Sequence, residues 1–362
     1  MLKPREAVQT LPLYHPPLAG RTGLRLDFNE NTVGCSPRVL DCLQGLNLEQ
    51  LAKYPEREPV EGRVAQFFKV APAEVLLTNG VDEAIHLLCQ TYLEPGDEAL
   101  IVVPTYSMYR IYMMAAGAEV VSVPLGQGFR FSAEDVMSRI TERLRFIAIA
   151  NPNNPTGTVV AREDLLQIAR SAPQAAILVD EAYFEFYGRT SLGDWRESPN
   201  IFVARTFSKA YGMAGLRLGV LAGDAEQMRA VRRVSSPYNV NAIALACLPE
   251  AIEDQAYITH YVKEVRETRA RLELALKANG IQFWPSQANF VLARVGSSKV
   301  DCGRFVEQMR QRGILVRGRS SDCGCEGCVR ITCGPREHAD RLLSALSETC
   351  RELGVAQGAL RL

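Results

Sequence analysis

The stretch IFVARTFSKAYGMAGLRLG (201–219) places Lys209 directly after a strand-like apolar run, with Thr206 and Ser208 before it and Arg217 beyond a glycine-punctuated turn. A lysine there is a poor core residue, because burying an unpaired ammonium is costly. The grouping suits different chemistry, that of a nucleophilic amine able to form an imine, held beside an anion that hydroxyls and a guanidinium can take. Asp180 closes the apolar run AILV in AILVDEAYFEF, so its carboxylate is nearly buried and needs a partner. A core arginine would serve as that partner, and so would a protonated ring nitrogen, on which the acid would hold the proton.

Two further stretches add donors. In NPNNPTG (151–157) two prolines fix the backbone around Asn153 and Asn154. This makes either a rigid surface turn or a rigid mount for an amide after a buried strand. In TNGVDEAI (78–85) a strand passes through Gly80 into a helix start, where free backbone amides and the helix dipole favour an anion. Each motif alone is weak. Together they supply a lysine for an imine, Asp180 for a ring nitrogen, Asn154 and Tyr183 for a phenolic oxygen, and Thr206, Ser208, Arg217 and a helix N-terminus for a phosphate. The ligand that matches is pyridoxal 5'-phosphate (PLP).

The elements that must hold these groups follow a strand, turn, helix rhythm. EVLLTN, ALIVVP, EVVSVP, LRFIAIA, AAILVDEAY and NIFVARTFS read as strands, with helical segments such as VDEAIHLLCQTYL, SMYRIYMMAAG and REDLLQIARSA between them. Continuously apolar strands alternating with helices predict an α/β fold, a mostly parallel sheet covered by helices on both faces. Ligands of such sheets sit at the carboxyl ends of the strands, which is where TNG, PTY, NPNN, DEAY and TFSK fall. Residues 1–35, rich in proline, read as an N-terminal arm that joins a small domain. Ser36 and Pro37 open the first helix and a large domain over 36–245. After 224 the pattern shifts to long helices over 241–279, then QANFVLARV, a helix over 301–312, ILVRG, VRITCG and a last helix. This predicts a smaller α+β domain over 246–362.

Composition narrows the class. Lys plus Arg number 41 and Asp plus Glu number 41, so no global field would recruit nucleic acid or an anionic membrane. No apolar run approaches the roughly 18 residues of a membrane span. The first 25 residues, with Pro4, Pro12, Pro16 and Pro17, lack the apolar core of a secretory signal. A cytoplasmic location is expected, with the ten cysteines mostly reduced.

From LDFNEN (26–31) to VRITCG (329–334) the chain resembles the fold-type I, PLP-dependent aminotransferases of class I/II. NPNNPTG, DEAY and TFSKAYGMAGLRLG carry that likeness. Within the group, LDFNEN, YPE (54–56), PTYSMY, QANF and VRGRSSDCGCEGCVRITCG resemble the histidinol-phosphate aminotransferases. The resemblance implies that Lys209 links the cofactor, Asp180 pairs with its ring nitrogen, Tyr183 and Asn154 with its ring oxygen, and that Tyr106 stacks on the ring. It assigns the phosphate to Gly80, Val81 and Asp82 with Thr206, Ser208 and Arg217. Val81 stands where the family usually has a smaller residue, a harmless change if only its backbone N–H is used.

The same likeness implies a homodimer in which Tyr54 reaches the neighbouring subunit's site. Arg330 and Arg317 would grip a substrate phosphate, and Tyr14 and Asn289 would line the pocket. The activity implied is transamination of L-histidinol phosphate with 2-oxoglutarate, giving imidazole-acetol phosphate and glutamate in histidine biosynthesis. An aromatic amino-acid aminotransferase, a phospho-amino-acid decarboxylase and a non-catalytic PLP-binding regulator are the alternatives. Cys323, Cys325, Cys328 and Cys333 could in principle hold a metal, but their spacing is not the paired CxxC of a zinc ribbon, and no metal is expected.

Overall fold

A computed structural model describes residues 2–13 and 20–354. Its strands in chain order are β1 (Leu24–Arg25), β2 (Val75–Asn79), β3 (Glu98–Val103), β4 (Glu119–Pro124), β5 (Leu144–Ala150), β6 (Ala176–Asp180), β7 (Ile201–Thr206), β8 (Leu218–Gly223), β9 (Gln282–Trp284), β10 (Phe290–Arg294), β11 (Ile314–Leu315), β12 (Arg317–Gly318) and β13 (Cys328–Thr332). Seven of them form the main sheet in the order β2-β8-β7-β6-β5-β3-β4. The run β7-β6-β5-β3-β4 is parallel, while β8 is antiparallel to both β7 and β2.

Successive residues of a strand point to opposite faces, and both faces of this sheet are covered. Phe146, Leu178 and Phe202 pack into one apolar cluster, while their neighbours Ile147, Val179 and Val203 pack into another on the far side. That is why β6 up to Val179 and β7 up to Ala204 are apolar without alternation, and both strands are buried along their whole length. Each such side chain contributes roughly 1.5–3 kcal/mol by its burial. The sheet is therefore a stiff platform.

The Gly-punctuated segment after Lys209 is more than a turn. It runs into β8, whose Gly219 and Gly223 hide it from a reading based on β-branched residues. Because β8 starts where β7 ends, Arg217 is returned to the same edge of the sheet as Lys209.

The smaller domain has an antiparallel sheet in the order β12-β13-β10-β9, backed by the helices Lys299–Gln311 and Arg336–Leu353. The expected long helical stretch is two helices, Ala242–Glu253 and Gln255–Ala278, separated by Asp254, which caps the second. The N-terminal arm carries a helical turn, Glu6–Gln9. Further on, β1 pairs in parallel with β11 as a separate two-stranded sheet, and the Thr332 N–H donates to the Leu26 carbonyl at 3.0 Å, tying the arm to the small sheet. Among the described residues no helix is long and apolar enough to cross a membrane.

Candidate active site

A cavity of about 320 Å³ opens at the carboxyl ends of β5, β6 and β7, between the main sheet, the arm and the small sheet. Lys209, three residues past Thr206, the last register position of β7, lines it. Its Nζ donates to the carbonyl of Phe28 in the arm at 3.1 Å. Burial, aided by the charges of Arg330 and Arg217, lowers its pKa to about 8. A sizeable fraction of this amine is thus neutral near pH 7–8, as a nucleophile or base requires.

Asp180 sits at the end of β6 and is 5% exposed. The hydroxyl of Tyr109 donates to its Oδ2 at 2.5 Å, and the backbone N–H of Ala182 to its Oδ1 at 3.0 Å. Burial pushes this carboxyl up to about 6 against the opposing pull of both hydrogen bonds. The core arginine does exist, but it serves the next residue: Arg205 Nε meets Glu181 Oε2 at 2.8 Å with both side chains buried. Among the described residues no ion pair reaches Asp180, whose own side chain faces the cavity.

The other pole of the cavity is the start of the helix Gly80–Tyr92. Asp82 in its first turn accepts from Tyr106 Oη at 2.8 Å and from Arg217 Nη2 at 3.1 Å. Arg217 has φ +56, so the chain bends sharply to aim its guanidinium here. A Cβ on Gly80 would come within 2.6 Å of Arg217 Nη2, and one on Gly219 within 2.8 Å of the Val81 nitrogen. Both glycines keep this approach open. Val81, Thr206 and Ser208 line the same end, with Thr206 Oγ1 accepting from the Ser208 N–H at 3.1 Å. Tyr106 lies edge-on to Tyr109, with ring centroids 5.6 Å apart.

The third wall is formed by the small sheet and the arm. Asn154 is the only asparagine of NPNNPTG that lines the cavity. Asn151 bonds with the backbone of Val160, and Asn153 with Thr105, Pro104 and Thr156, which rigidifies the loop. Arg330 Nη1 donates to Asn154 Oδ1 at 2.5 Å and Nη2 to the Asp27 carbonyl at 2.6 Å. Burial, then the charge of Arg319, brings the Arg330 guanidinium down to about 10, so it stays cationic at neutral pH. Arg317 and Arg330 are direct register partners on β12 and β13, and both line the cavity. Tyr183 Oη accepts from Asn29 Nδ2 at 2.8 Å, and burial raises its pKa.

Not every expected residue is here. Tyr54, expected at a neighbouring subunit's site and not at this one, is 78% exposed and stacks on Tyr238 with centroids 4.3 Å apart. Asn289 is fully buried and does not line the cavity; its Nδ2 holds the Asn29 carbonyl at 3.1 Å, so it supports the arm. Tyr14 lies outside the described residues. Three residues went unnoticed in the sequence. Tyr109 is hidden in an apolar helix, Asn29 in LDFNEN, and Arg319 two residues beyond Arg317. For Asn29 the signal was a polar cluster with no structural need of its own.

The family model described as aminotransferase class I and II matches residues 21–346. The chain belongs to this family. Among curated relatives of this aminotransferase, a histidinol-phosphate aminotransferase of Geobacillus sp. (strain WCH70) is 32% identical over 91% of this chain and 90% of its own length. One from Caldanaerobacter subterraneus subsp. tengcongensis is 37% identical over 81% of this chain and 83% of its own. Among solved structures, histidinol-phosphate aminotransferase from Sinorhizobium meliloti, in complex with pyridoxal-5'-phosphate, superposes with a TM-score of 0.88 at 25% identity, covering 98% of this chain and 99% of that one.

The residues of this aminotransferase fit such a cofactor on their own terms. Asp180 is a buried carboxylate with hydrogen bonds but no cation, the complement of a protonated pyridine nitrogen. At the opposite pole, an N-terminal helix turn, an arginine and two glycines that admit no Cβ form a cradle for a phosphate. Lys209 lies between them.

Proposed function

We propose that this aminotransferase interconverts L-histidinol phosphate and imidazole-acetol phosphate on PLP, with glutamate and 2-oxoglutarate as the other pair. The observation that carries the reading is the register of Arg317 on Arg330. Directly opposite residues of an antiparallel pair share a face, which supports both guanidiniums serving the same cavity wall. Two like charges are costly to hold together unless a multiply charged anion compensates them, and histidinol phosphate offers a dianion where an ordinary amino acid offers a single carboxylate.

In this reading PLP supplies an electron-withdrawing ring conjugated to the substrate nitrogen. Asp180 keeps the ring nitrogen protonated, and Tyr109 orients the carboxylate. Gly80, Val81, Asp82, Thr206, Ser208 and Arg217 would hold the cofactor phosphate, Tyr106 would lie against the ring, and Asn154 and Tyr183 would serve its phenolic oxygen. Lys209 Nζ would hold the cofactor, and as a neutral amine it would take a proton from the substrate Cα. Its pKa near 8 supports that role. Arg317 and Arg330 hold the distal phosphate, which fixes the amine end over Lys209.

The functional unit we propose is a homodimer, with exposed Tyr54 reaching the second site. The compartment is the cytoplasm, where the ten thiols remain free. The test is a half-reaction titration: histidinol phosphate, phenylalanine and glutamate are added separately to the PLP-loaded protein while its visible absorbance is followed. Histidinol phosphate should deplete it at the lowest concentration, with glutamate also active. Faster depletion by phenylalanine would mark an aromatic amino-acid aminotransferase instead.

A further inference from the structure

Arg319, two residues beyond Arg317, also lines the cavity, so three guanidiniums border one wall. Its side chain forms an ion pair with Asp322, three residues on, and is 16% exposed. The loop that carries the pair is stiff: Arg319 N donates to the Cys328 carbonyl at 2.9 Å and Asp322 N to the Arg319 carbonyl at 2.9 Å. Further along, Gly327 N donates to Ser320 Oγ at 2.8 Å. A long charged side chain on a mobile loop would be a surface feature. This one is anchored at both ends.

Two details point to a ligand. The Nε atoms of Arg319 and Arg330 are both buried and neither has a hydrogen-bond partner among the described residues. Arg57, Arg294 and Arg312 carry an orphaned Nε as well, but of the five only Arg319 and Arg330 line this cavity, where an incoming acceptor could satisfy them. The charges give its valence. Arg21 and Arg25 are cancelled by Asp27 and Glu30. Three guanidiniums then face the single carboxylate of Asp322, leaving two positive charges. A phosphomonoester near neutral pH carries about two negative charges and a carboxylate one.

We infer that Arg319, set by Asp322, is a specificity-determining residue that matches this wall to a phosphomonoester dianion and against a monoanionic carboxylate. The inference rests on the proposed function, which names the substrate, and deepens it by assigning the preference to a residue outside the Arg317–Arg330 pair. After burial, the charge of Arg319 is the largest cause of the lowered pKa of Arg330, ahead of Arg317.

The experiment compares wild type, Arg319→Gln and Arg319→Lys as PLP-loaded proteins, with the cofactor's own phosphate site filled. Calorimetry measures the affinity for inorganic phosphate. Kinetics measure the ratio of kcat/KM for histidinol phosphate to that for phenylalanine. Loss of one charge-assisted hydrogen bond in Arg319→Gln should weaken phosphate by about 10- to 100-fold and lower the ratio by a similar factor. Arg319→Lys should stay within about 5-fold of wild type, since it keeps the charge that balances the dianion. Unchanged phosphate affinity in Arg319→Gln, or equal losses for both substrates, overturns the inference while leaving the function standing. A wild type that binds phosphate through Arg319 yet prefers phenylalanine overturns the function instead, and calorimetry separates the two.

Discussion

The hydroxyl of Tyr109 donates to Oδ2 of Asp180 at 2.5 Å, and this neutral donor occupies the position where a cation would stabilise a buried carboxylate far more. The protein holds an acid in a setting that disfavours its charge.

That setting has a measurable cost in the apoprotein. Burial raises the Asp180 carboxyl to about 6, whereas an unfolded aspartate titrates near about 3.9. Between those values the folded chain binds the proton more strongly than the unfolded chain, so this group makes stability fall as pH rises through that window. Asp180→Asn removes the effect. Thermal melts of the apoproteins should show the variant more stable at pH 7, by about 1–3 kcal/mol, with the gap closing near pH 4. A wild type at least as stable as the variant at pH 7 would show that the carboxylate is well solvated.

Lys209 gives a second pH signature. Only its neutral amine attacks an aldehyde, and its pKa lies near 8 because burial and two arginines disfavour the ammonium. The rate at which apoprotein takes up PLP should therefore climb with pH and level off above about 8. It should not continue rising to the ordinary lysine value of about 10.4. Lys209→Ala should abolish both turnover and the visible absorbance of the linked cofactor. A visible band that survived in that variant would remove Lys209 from its role.

Asn29 fastens the arm to the small sheet and to Tyr183. It has φ +55, its N–H donates to Thr332 Oγ1 at 3.1 Å, and its side chain both accepts from Thr332 Oγ1 at 3.0 Å and donates to Tyr183 Oη at 2.8 Å. Asn29→Ala strands two buried hydroxyls and should cost about 1–3 kcal/mol in urea unfolding. Thr332→Val, which breaks the same network, should cost less in the Asn29→Ala background than in wild type, because the partner is already gone. Additive losses would mean the network does not act as a unit.

The strand ends of the main sheet were legible because their chemistry is local. Lys209, Asp180 and Asn154 each follow a buried apolar run, and the topology of a parallel sheet brings such positions to one edge. What lies across long sequence separations was not legible. Thr332, the partner that explains Asn29, is 303 residues away. Tyr109 reads as one more apolar position of a helix, since nothing local says that its hydroxyl meets Asp180 71 residues later. Arg319 reads as a solvated loop charge until β12 and β13 are paired. The glycines of β8 concealed a strand whose burial, not its propensity, decides its conformation.

The arm sets the order in which the molecule can be completed. The carbonyls of Phe28 and Asp27 serve Lys209 and Arg330, yet the arm is positioned by pairing β1 with β11, at Ile314 and Leu315. The arm is made well before the strand it pairs with and must therefore wait, unpaired, for Ile314 and Leu315. Contacts of such span form slowly because loop closure precedes any gain. During synthesis the sheet that carries Lys209 can fold first and stand open. The pocket is sealed only once β11 is there to receive the arm.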